Sequence, residues 1–210
     1  MTHSLHRQGT RESLSRDFCV MCLPELGYNH LNSNQMASRF LDIVLRYNPA
    51  NYGVITCGNM YTHDLETIRK GLDQSPAIFC VLTSEEALEG ALRELKEQDL
   101  GLSVVVAALY DLVAGVCGKV GLDPHTVNHS LGVWGKTEKL PPGEVLEITT
   151  MCGHAQVSSF LVESLMESVK NGKISAREAA LQMARPCVCG FFNPQRAERL
   201  MEAAGGPVGK

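Results

Sequence analysis

Short apolar runs alternate with helix-spaced apolar positions over the first 120 or so residues of the chain. The runs Phe18 to Leu23, Tyr52 to Cys57, Ala77 to Leu82 and Leu102 to Ala107 predict four buried strands. Between the first two, Ala37, Phe40, Leu41, Val44 and Leu45 recur at helical spacing, and Leu65, Ile68 and Leu72 do so before the third. The clearest helix spans Ser84 to Gln98, with Thr83 and Glu86 as a capping box and Gly101 beyond its end. A further helix from Leu109 to Val120 stops at Gly121. Such strand–helix alternation predicts an α/β fold with a mixed or mostly parallel sheet flanked by helices, and a helical C-terminal segment.

The pattern loosens between 122 and 150. Thr126 to Trp134 and Glu144 to Thr149 read as extended elements, joined by an exposed turn carrying Pro141-Pro142-Gly143. After Met151 the chain becomes helical. Val157, Phe160, Leu161 and Leu165 share one face, Gly172 marks a stop, and Ser175 with Glu178 forms a second capping box. Pro186 ends that helix, and Asn193-Pro194 opens the last one. The expected organisation is an α/β sheet domain over 1–150, a helical cysteine-containing segment over 151–204 and a flexible tail over 205–210.

Composition narrows the class. Nineteen basic against twenty-three acidic residues leave a net charge of −4, which offers no electrostatic case for nucleic acid or an anionic membrane. The first residues lack the apolar core of a signal peptide, and the longest apolar run, Val104 to Tyr110, is far below a membrane span. A soluble, cytoplasmic protein with reduced cysteines is the expectation. A small molecule is the partner class left open, and the oligomeric state is not legible.

Eight cysteines exceed what packing requires, and the candidate chemistry lies among them. Cys152-Gly153-His154 and Cys187-Val188-Cys189-Gly190 stand where helices near 155 and 193 are about to start. Thiolates gain there from free N–H groups and the helix dipole. Cys152, His154, Cys187 and Cys189 make a Cys₃His set, suited to tetrahedral zinc, or to an iron–sulfur cluster on the three thiolates. The two loops can meet only if the intervening helices fold back at Asn171-Gly172-Lys173.

The leading expectation is therefore a metal-binding protein whose Cys/His site holds an iron–sulfur cluster or zinc, for redox or Lewis-acid chemistry on a small molecule. Reduced cysteines in a helical cap are the plain alternative. A metal-free small-molecule-binding or regulatory α/β domain would use a pocket near Cys57, His125 and His129. A thiol redox protein would use the C-x-C pair. Cys19 and Cys22 lie three apart in a strand, which points them to opposite faces and makes them core residues. Cys57, Cys80 and Cys117 read as small core hydrophobes, Cys57 at a strand end that borders a ligand crevice in many α/β sheets. His63-Asp64 marks a helix start capped by Thr62. Gly115 to Val120 only superficially resembles a phosphate loop: its spacing is wrong and no Ser or Thr follows Lys119.

Overall fold

The computed structural model describes residues 6–205; the residues assigned to a tail beyond Gly205 lie outside that range. Five strands form one sheet: β1 (Phe18–Leu23), β2 (Asn51–Val54), β3 (Gly58–Asn59), β4 (Ile78–Leu82) and β5 (Ser103–Ala107). Their order is β3-β2-β4-β1-β5, and every neighbouring pair is antiparallel. The mixed or mostly parallel sheet expected from the alternation is therefore wrong.

The reason is topological. Strands joined by a helix do run parallel here, but they are not neighbours. Helix α2 (Ser33–Leu45) links β1 to β2, and β4 lies hydrogen-bonded between them. Helix α4 (Glu85–Gln98) links β4 to β5, with β1 in the gap. The two units interleave as split β-α-β pairs. Hydrophobic pattern sets which segments are strands, whereas neighbour choice depends on long-range pairing that no local window contains.

Side-chain alternation in β1 feeds two cores. Phe18, Val20 and Cys22 face one layer with α2, α3 (Leu65–Gly71), α4 and α5 (Tyr110–Val120). Cys19 and Met21 face the other, built from α6 (Gly143–Thr149), α7 (Ser159–Lys170), α8 (Ala176–Ala184) and α9 (Pro194–Gly205). The C-terminal helices thus share a core with β1 and β4.

Several local expectations move. Glu144 to Thr149 is helical, because Val145 and Ile148 bury at helical spacing. Thr126 to Trp134 forms no strand; positive φ at Gly132 and Gly135 breaks extension, and Leu131 and Trp134 are exposed. The second strand stops at Val54, and a turn over 55–57 leads to β3. Ser84 rather than Thr83 caps α4, and Asp64 rather than Thr62 caps α3. The Ser175–Glu178 capping box is present. A four-residue helix, α1 (Arg11–Leu14), lies near the start of the described chain.

Candidate functional site

The α7–α8 hairpin turns at 171–175 and returns the chain to its starting point, which brings the two cysteine loops together. Cys152 and His154 lie in the turn after α6, and Cys187 and Cys189 in the turn after α8. Helix α7 begins only at Ser159, later than the start near 155 that the sequence suggested, whereas α9 begins at Pro194 as expected; neither cysteine loop abuts the first turn of its helix. The thiols nevertheless meet. Cys187 Sγ and Cys189 Sγ are 3.9 Å apart, and Cys189 Sγ is 3.6 Å from His154 Nδ1. Cys152 hydrogen-bonds Cys187 through its side chain. All three cysteines are buried, and His154 is half-buried.

Backbone packing explains how the second loop is held. Gly190, at φ +81°, lies so close to β2 that a Cβ there would stand 2.4 Å from the Tyr52 carbonyl carbon. Gly53 makes the reciprocal approach: its Cβ would meet the Val188 oxygen at 2.8 Å. Only glycine fits either place, since one needs left-handed backbone and both need an absent side chain.

Buried amides then lock the loop to the sheet. Asn59 Nδ2 donates to the Ala184 carbonyl at 2.9 Å and the Cys187 carbonyl at 2.8 Å. Asn51 Nδ2 donates to the Phe192 carbonyl at 2.9 Å. Asparagine is a poor strand former, so its appearance in β2 and β3 is the signal that sequence reading passed over.

Beneath the loops lies a buried charge network. Asp17 Oδ2 accepts from Arg7 Nη1 at 2.5 Å and from Arg196 Nη1 at 3.0 Å, while Asp17 Oδ1 accepts from Asn193 Nδ2 at 3.0 Å. Arg196 also donates to Ser13 Oγ and the Gln8 carbonyl.

Electrostatics keep the Cys187 and Cys152 thiols neutral. The hydrogen bond from Cys152 lowers the Cys187 pKa, but the bond with Cys189 and burial outweigh it, and the thiol is pushed up to about 12. Cys152 is also raised, first by its hydrogen bond to Cys187 and then by burial. A nucleophilic thiolate needs the opposite shift, so Cys187 and Cys152 do not suit thiol exchange.

The contacts form a chain, Cys152–Cys187–Cys189–His154, and not a closed shell. Among the described residues, no group of three or more Cys, His, Asp or Glu side chains is already placed to hold a metal ion. Donor chemistry fits soft metals, and the Cys187–Cys189 and Cys189–His154 separations fit a tetrahedral centre. Zn–S bonds near 2.3 Å and Zn–N bonds near 2.0–2.1 Å give edges of roughly 3.8 Å for S–S and 3.6 Å for S–N.

Other candidates fall into place. Cys19 and Cys22 point to opposite cores, as their spacing implied. Cys80 and Cys117 are core residues, and Cys57 contacts the Thr67 carbonyl. His129 rests edge-on against Tyr110 in the exposed segment after α5. A surface cleft of about 480 Å³ between Arg16, Ser84, Glu86 and Arg199, and a smaller one beside Tyr61 and Arg177, are lined by none of Cys57, His125 or His129.

Comparison of the chain with protein-family models, curated proteins and solved structures found no match, so function must be argued from these residues. Among the described residues, no helix is long and apolar enough to cross a membrane.

Proposed function

We propose that the Cys152–His154 and Cys187–Cys189 loops form a metal centre with three thiolates and one imidazole, and that its natural occupant is zinc. The observation that carries this reading is the meeting of Cys187, Cys189 and His154 at 3.9 and 3.6 Å, close to two edges of a zinc tetrahedron. A four-iron cluster gives each cysteine its own iron and calls for wider sulfur spacing. Crowded neutral thiols also favour a cation, which takes their deprotonated forms and releases their protons to water. Filling the centre needs small side-chain rotations that turn the chain of contacts into a shell.

With all four ligands bound, the centre is closed and ties the C-terminal helices to the sheet. Lewis-acid chemistry would require the half-buried His154 to yield its place to water or a small molecule. Anaerobic purification with elemental analysis and a visible spectrum tests the proposal. Near-stoichiometric zinc that disappears in a Cys187→Ser, Cys189→Ser double variant is the expected result. Iron with sulfide and a visible band would replace zinc by a cluster; neither metal would sink the reading.

A further inference from the structure

We infer that Arg7 is a positioning residue for this centre: its guanidinium clasps the two cysteine loops together and supplies the counter-charge of a thiolate-rich site. The ligand comes from the metal reading, while the clasp rests on geometry alone. Arg7 Nη2 donates to the Met151 carbonyl at 3.0 Å and also to the Phe191 carbonyl. Met151 directly precedes Cys152, and Phe191 follows Cys189 by two positions. One planar cation near the start of the chain therefore spans both loops, across sequence separations of 144 and 184 residues. Its neighbour reinforces the strap, since the Gln8 N–H donates to Thr150 Oγ1 at 3.1 Å.

Charge gives the clasp a second role. The side chains of Arg7, Arg196 and Asp17 are 6%, 1% and 0% exposed, so two buried cations share one buried carboxylate. Glu147 approaches Arg196 only at 3.7 Å and is partly exposed. Arg7 Nε finds no hydrogen-bond partner among the described residues. A buried cation lacking full compensation is costly unless an anion stands nearby. Three thiolates and one imidazole around Zn²⁺ carry a net charge of −1, which offsets that surplus.

The test compares full-length wild type, Arg7→Met and Arg7→Lys, with Co²⁺ as the spectroscopic probe and Zn²⁺ in competition. Arg7→Met removes charge and clasp, and should weaken Co²⁺ binding on the order of 10- to 100-fold, with distorted ligand-field bands. Arg7→Lys keeps the cation but cannot span both carbonyls and Asp17, so its affinity falls between the two. A purely structural arginine would lower the melting temperature and leave affinity and spectrum of the folded protein unchanged; that result overturns the inference. Should Arg7→Met fail to fold, Arg7→Lys decides, and wild-type affinity in it is equally fatal. A metal-free readout separates this idea from the metal reading. Cross-linking of Cys152 to Cys187 by added diamide, which takes up the two electrons and two protons released as the S–S bond forms, should slow several-fold in the folded variant. Slowing in a protein that binds no metal would leave the clasp standing and remove the zinc centre, while an unchanged rate contradicts the clasp.

Discussion

At the scale of single residues, the site depends as much on what is missing as on its thiols. Gly190 has φ +81° and no room for a methyl group against the Tyr52–Gly53 peptide. Gly190→Ala should therefore cost about 2–5 kcal/mol, from left-handed strain plus a backbone clash. Gly115, inside α5, is the contrasting case: a methyl group added there would meet nothing within 4 Å. Gly115→Ala should stabilise by about 0.5–1 kcal/mol through helix propensity. Urea unfolding of the two variants checks both signs; equal effects would show that the 187–190 loop does not sit on β2 as described. Cysteine and histidine announce themselves in the sequence because few other roles need them at that density. Asn51, Asn59, Gly53 and Arg7 do not, since their importance comes from partners more than a hundred positions away.

At the scale of elements, local signals are legible where they are self-contained. The Ser175–Glu178 capping box and the Asn193-Pro194 start need only neighbouring residues, and both helices are where they predict. Glu144 to Thr149 misleads because so short a segment holds too few apolar positions to separate a strand period from a helix period. The strands also set a pH response. Burial pushes the Cys22 thiol up to about 12 from an ordinary 9.0, and raises Cys19 and Cys80 in the same sheet. A raised pKa means that the folded state keeps a proton which the unfolded chain has lost. The associated stability is intact below about pH 9 and drains away as pH climbs toward 12. By about pH 10, Cys22 alone should cost roughly 1.4 kcal/mol. Denaturant melts from neutral to alkaline pH test this; in Cys22→Ala the slope should be shallower, and an unaltered slope would refute the assignment.

At the scale of the whole molecule, the sheet is a platform with a different task on each face. One face carries α2 to α5 and is plain hydrophobic core, including Cys22, Cys80 and Cys117. The other carries α6 to α9 and gathers Cys19, Cys152, Cys187 and Cys189 into a second core. The α/β alternation is legible in sequence, but the antiparallel order is not, because β4 and β1 insert between strands that the chain joins through helices. The same long-range logic governs the site. A hairpin turn near Gly172 can be read locally; that it delivers Cys189 to within 3.6 Å of His154 cannot. The site is made by the convergence of two remote loops, held by Asn59, by two closely apposed glycines and by Arg7.

X-ray absorption at the zinc edge on the zinc-loaded, full-length protein tests whether the two loops converge on one metal ion. Three sulfur ligands near 2.3 Å and one nitrogen ligand near 2.0–2.1 Å, with one zinc per chain, are the predicted result. A bound zinc surrounded mainly by oxygen and nitrogen, or a protein that retains no zinc at all, would contradict it.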